Sequence, residues 1–167
     1  KDQFELVRWP NEGEFASISN PITSEHTILR QYVLPSLLRL LSANRHHELP
    51  QKVYELGEVV RGSSNGNRGS WACAEVGSGF TTAKGITLAM LRDMGAENSE
   101  FEFRETEEGK GPWINGRGCQ IIVKGEKIGE FGEVDPEVSH SFGLKVPIHA
   151  GEIDLDRVGV LILDPIT

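Results

Sequence analysis

Residues 117–134 read RGCQIIVKGEKIGEFGEV. Cys119, Ile121 and Val123 alternate with Gln120 and Lys124, so one side of the stretch is apolar and the other polar, the period-two signature of a half-buried strand. Gly125-Glu126 suits a two-residue turn, and residues 127–134 return as a second strand. Strands joined by so short a connection are antiparallel, because a parallel pair needs a crossover of a dozen residues or more.

The same device recurs outward from this hairpin. Residues 51–61 read as a strand and 70–79 (SWACAEVGSG) as its partner, with GSSNGNRG at 62–69 as a turn-rich loop between them. Residues 101–105 make a short strand, 107–116 a polar loop, and 146–156 a last strand. Three helical stretches interrupt the series. Residues 23–47 start at a Thr23 or Ser24 cap and carry Ile28, Leu29, Tyr32, Val33, Leu37, Leu38 and Leu41 at helical spacing. Pro35 splits them into a short helix to about Val33 and a second helix with the proline in its first turn. Residues 82–94 place Ala83, Ile86, Met90, Leu91 and Met94 on one face, and Asp135-Pro136 opens a helix to about 142. Residues 1–20 hold no sustained period and read as an incoming segment with one short strand near 14–19. Consecutive strands joined by hairpins predict an antiparallel α+β domain over 21–167.

Composition narrows the function classes. The chain has 167 residues, enough for one core. Its formal net charge of −8 lacks the broad positive footprint that phosphate backbones attract. No apolar run approaches the ~18 residues of a membrane span, and no basic, apolar, small-residue leader points to secretion. Cys73 and Cys119 sit far apart with no CxxC, so they read as reduced, apolar-packed thiols.

Few motifs invite chemistry. The Gly62–Gly69 loop fails as a phosphate cradle, because the glycines are wrongly spaced and no lysine follows. His26, His46, His47, His140 and His149 form no HExxH or HxH, and no GxSxG is present. On the last strand, period two places Glu152, Asp154 and Asp156 together. Three carboxylates there could hold a divalent cation, or form a solvated face paired with arginines. Two readings stay open on this basis: an enzyme working on an exposed sheet face, and a structural or interaction module.

A set of motifs, in order along the chain, goes further. Asn20-Pro21-Ile22-Thr23-Ser24-Glu25, Leu29-Arg30, Leu34-Pro35-Ser36-Leu37-Leu38, Asn44 and Val53-Tyr54-Glu55-Leu56-Gly57-Glu58-Val59 are followed by Phe80, Lys84-Gly85, Phe131-Gly132-Glu133-Val134-Asp135-Pro136-Glu137-Val138, Pro147 and Glu152-Ile153-Asp154-Leu155. Together they resemble the beta subunit of phenylalanyl-tRNA synthetase of the archaeal and eukaryotic cytosolic kind, over about 18–156. The resemblance implies a class II synthetase-like antiparallel sheet flanked by helices and a cytoplasmic ligase of protein biosynthesis that uses ATP and magnesium. It also implies an (αβ)₂ assembly in which the alpha subunit is catalytic and tRNA-Phe binds only the whole. It further implies an interface helix upstream of Lys1. The alternative within the same fold is a free-standing class II paralogue acting as an interaction module.

Compared with class II catalytic domains, the chain is similar in outline and different at the site. Arg61 matches by position the arginine that grips the ATP phosphate, but Ser70–Ala74 lacks the acid and histidine expected on the next strand. In Ala150-Gly151-Glu152-Ile153-Asp154-Leu155-Asp156-Arg157, Glu152 and Asp154 stand where the glycine-rich strand should have glycines. Glycine serves where a ligand must approach backbone. Acids there fill the space and repel phosphates by about 4 kcal/mol per unit pair at ~4 Å and effective ε of 20. The resemblance therefore implies degenerate positions at Arg61, Glu152, Asp154 and Arg157, with no catalytic, cofactor or metal residue in this domain. It also predicts a guanidinium from Arg61 or Arg30 on Glu152 or Asp154.

Overall fold

The computed structural model describes residues 2–23, 28–77 and 79–162. Among these, the elements run α1 (Asp2–Leu6), α2 (Leu34–Ala43), β1 (Gln51–Arg61), β2 (Ser64–Ala74), α3 (Phe80–Asp93), β3 (Phe101–Glu105), β4 (Trp113–Val123), β5 (Glu126–Val134), α4 (Pro136–Ser141), β6 (Ile148–Asp154) and α5 (Leu155–Leu161). The strands form one sheet in the order β1-β2-β6-β5-β4-β3, antiparallel throughout. The α+β expectation therefore holds.

Each face of the sheet builds its own core. Toward one face, Leu34, Leu37, Leu38 and Leu41 of α2 pack with Val7, Trp9, Val33, Ala72, Ile148 and Ala150. That leucine spacing is one stripe of a helix. Toward the other face, Ala83 and Leu91 of α3 and Val158 of α5 cover Ile121, Phe131 and Ile153. Phe80 stacks on Phe131 and Phe103 meets it edge-on, with centroids 5.7 and 4.8 Å apart. Cys73 is buried and Cys119 half-buried, both as free thiols.

Several boundaries differ from the sequence-based expectation. The loop expected at 62–69 is a two-residue turn, Gly62-Ser63, and β2 already begins at Ser64. Turn-forming residues there are carried as strand because pairing with β1 satisfies their backbone. The turn after β4 is Lys124-Gly125, both at positive φ (49° and 84°), one residue earlier than expected. β4 starts at Trp113 and takes part of the expected polar loop, with a register irregularity before Gly118. The short helix expected up to Val33 is not formed over 28–33; instead Ile28 bridges Ser17, and residues 24–27 lie outside the described set. In 1–20 the expected strand reduces to that single bridge. The last strand stops at Asp154, whose side chain accepts from the Arg157 N–H at 3.1 Å and caps α5. Asp156 is thus on a helix, and the three acids do not share a strand face.

Candidate functional site

Of the four positions expected to be degenerate, Arg61, Glu152 and Asp154 lie on the face covered by α2, and Arg157 is on α5. Register places Ser70, Glu152 and Glu130 side by side across β2, β6 and β5, with Arg68 opposite Asp154. Directly opposite residues share a face of the sheet. A cavity of about 190 Å³ opens here, walled by Trp9, Glu12, Tyr32, Arg61, Arg68 and Asp154.

Glu152 is fully buried. Its Oε2 accepts from Arg68 Nε at 2.5 Å, and its Oε1 accepts from the backbone N–H groups of Val33 and Leu34 at 3.0 and 2.6 Å. Those two donors are among the N–H groups that the start of α2 cannot satisfy internally, and α2 has no side-chain cap of its own. The carboxylate of β6 therefore caps a helix 118 residues earlier in the chain. Burial pushes the Glu152 carboxyl up, while Arg68 and the two N–H groups pull it back. The Arg68 guanidinium lies 5.2 Å from the Tyr32 ring centre, a cation–π placement.

Arg61 Nε is 2.7 Å from Glu12 Oε2, and its Nη1 donates to Asp154 Oδ2 at 3.3 Å. The Glu12 contact is an ion pair without an aligned hydrogen bond, and the buried Nη2 has no hydrogen-bond partner among the described residues. The expected contact from Arg61 to Asp154 is present. The one from Arg30 is not: Arg30 lies across Gly57 to reach Glu55 Oε1 at 2.6 Å and donates to the Glu58 carbonyl at 3.1 Å. A side chain at position 57 would collide with that guanidinium. Arg157 pairs with Glu126 at 3.2 Å, away from the acids it follows. Asp156 accepts from the Asn67 backbone N–H and side chain at 2.9 and 3.2 Å, which holds its carboxyl below the usual range.

Residues 9–13 form a strap over this face. Tyr32 Oη donates to the Pro10 carbonyl at 2.6 Å. The buried Gln31 side chain accepts from Glu12 N at 2.8 Å and donates to the carbonyls of Glu12 and Gly13, both at 3.3 Å. Trp9 and Trp113 both donate their indole N–H to Glu130 Oε1, at 3.2 and 2.8 Å, and Lys127 holds Oε2 at 2.6 Å. Sequence reasoning missed the strap, Arg68 and Glu130. Arg68 was legible only with β2 extended back to Ser64. No signal in residues 1–20 betrays a covering role.

The residues present do not fit a nucleoside triphosphate. Each guanidinium that lines the cavity faces a carboxylate of the chain, and the buried Glu152 adds a further carboxylate beside them. Among the described residues, no three His, Cys, Asp or Glu side chains form a group that could hold a metal ion, and no helix is long and apolar enough to cross a membrane.

Comparison with known proteins matches residues 1–155 to the phenylalanyl tRNA synthetase beta chain CLM domain. The chain belongs to this family. It is 36% identical over 162 residues to the phenylalanine–tRNA ligase beta subunit of Methanopyrus kandleri, covering 93% of this chain and 27% of that protein. To the beta subunit of Archaeoglobus fulgidus it is 39% identical over 142 residues, covering 85% and 25%. To that of Pyrococcus horikoshii it is 39% identical over 160 residues, covering 92% and 28%. The chain thus spans about a quarter of the length of these relatives.

Proposed function

We propose that this domain is the catalytically silent, class II synthetase-like core of a phenylalanine–tRNA ligase beta subunit. It supports a catalytic alpha subunit in an (αβ)₂ assembly that charges tRNA-Phe in the cytoplasm, using ATP and magnesium held outside this domain. The observation that carries the reading is the neutralised site. Arg61 and Arg68 are spent on Glu12, Asp154 and Glu152, and the 9–13 strap covers the same face of the sheet. A domain that keeps the sheet and closes the site has kept shape and lost chemistry, and function follows the site rather than the fold.

Calorimetric titration of ATP into the assembled alpha–beta protein and into the full-length beta chain alone tests this. The expected result is one ATP per alpha–beta pair, no saturable heat with the beta chain, and an unchanged titration for Arg61→Ala. Two ATP per pair, with one lost in Arg61→Ala, overturns the reading.

A further inference from the structure

On the α2 side, at the far end of that helix from Glu152, a second cavity of about 330 Å³ opens, larger than the one beside Arg61. Leu41, Leu49, Leu144 and Val146 supply its apolar wall, and Arg45 and Lys145 stand at its rim with His46 beside them. The volume is that of a small ligand pocket, enough for one large apolar side chain. Leu49 is 41% exposed, so part of that apolar wall is open to solvent.

The rim is cationic on a chain whose net charge is −8. Arg45 and Lys145 are exposed. Neither has a carboxylate partner among the described residues, and Arg45 donates only to the Ser42 carbonyl at 3.3 Å. Elsewhere, by contrast, Arg8, Arg30, Arg61, Arg68 and Lys127 are all paired with acids. Unpaired cations around an apolar hole are the complement of an apolar anchor flanked by carboxylates. A flat basic patch would suit a phosphate backbone; a pocket with apolar walls suits an inserted side chain.

From this juxtaposition of apolar cavity and unpaired basic rim, we propose that the pocket between α2 and the 143–146 loop receives an acidic segment of the alpha subunit, inserting one large apolar side chain past Arg45 and Lys145. The inference rests on the heteromeric reading above and adds to it the place and chemistry of one contact.

The test uses the full-length beta chain. Binding of purified alpha subunit is measured for wild type, for the charge reversal Arg45→Glu/Lys145→Glu, and for Leu49→Ser. Three probes compete: a blocked peptide with one phenylalanine flanked by glutamates, the same peptide with lysines, and a single-stranded uridine oligonucleotide. The expected result is a loss of alpha affinity of about tenfold or more on charge reversal, a smaller loss for Leu49→Ser, and competition by the glutamate peptide alone. The reversed pair is exposed, so unchanged circular dichroism and melting separate a binding loss from misfolding. Equal binding of alpha to wild type and charge reversal overturns the pocket while leaving the assembly standing. No binding of alpha to wild type overturns both. Competition by the oligonucleotide, with the glutamate peptide inert, assigns the rim to nucleic acid and overturns the peptide occupant.

Discussion

A carboxylate with no exposure survives folding only when its charge is met on every side. Glu152 meets this demand with one guanidinium and two backbone donors. Removing Arg68 leaves the carboxylate buried with two of its three partners and no opposite charge. Arg68→Ala should cost about 3–5 kcal/mol, read as a lower denaturant midpoint at unchanged slope. Adding Glu152→Gln should recover part of the loss, because an amide carbonyl still accepts from Val33 and Leu34 without carrying charge. A cost under about 1 kcal/mol for Arg68→Ala, the range of a surface pair, would show that the pair does not hold the site. Tyr32 offers a pH readout on the same cluster. Burial, then Glu12, holds its phenol well above the ordinary value. Its folded pKa is raised, so its contribution to stability is full below the unfolded value of about 10 and declines as pH climbs beyond it. Alkaline melting curves should therefore show a stability loss above that pH that Tyr32→Phe lacks, and equal slopes for both proteins would refute the assignment. At this scale the sequence places acids at 152 and 154, where the resemblance leads one to expect glycines. It did not show which arginine answers them, because the choice depends on the register of β2 and not on spacing along the chain.

Between the elements β5 and β6, Gly129 faces the backbone of Glu152 and Ile153; a Cβ at position 129 would collide with the Glu152 carbonyl oxygen. Rigid backbone cannot give way as a side-chain tip can. Gly129→Ala should cost about 1–3 kcal/mol or more by overpacking, and amide exchange should quicken along β5 and β6 before it does in β1. A variant with wild-type stability would mean the strands separate more readily than the register implies. The hairpins were legible because period-two alternation and turn residues are local signals. The N-terminal strap and α5 were not. α5 carries a readable cue in Asp154 three residues before Arg157, with Leu155, Val158 and Leu161 at helical spacing, but that cue competes with a strand pattern ending in the same residues. The strap has no period at all and is positioned by Gln31, Tyr32 and Glu130 from elsewhere.

For the whole molecule, the open flank of the β1–β2 hairpin matters most for behaviour in solution. Tyr54, Leu56 and Val76 are 79%, 68% and 72% exposed, and β1 is an edge of the sheet. Arg30 meets this edge at Glu58 and Val60, and exposed apolar side chains along the rest of an edge strand favour association. Sedimentation of this domain should show self-association that rises with concentration and weakens in Leu56→Lys; a clean monomer for both proteins would count against it. The sheet order carries one more consequence. The last strand made, β6, sits in the middle, between β2 and β5. On the ribosome, β1–β2 and β3–β4–β5 can pair as they emerge, but they stay two separate ribbons until residues 148–154 arrive to join them. Until that moment each ribbon presents an inner edge meant for β6 and open to any passing strand. A nascent chain stalled just short of Ile148 is thus a pair of sticky half-sheets, and the synthesis of seven residues turns it into a domain.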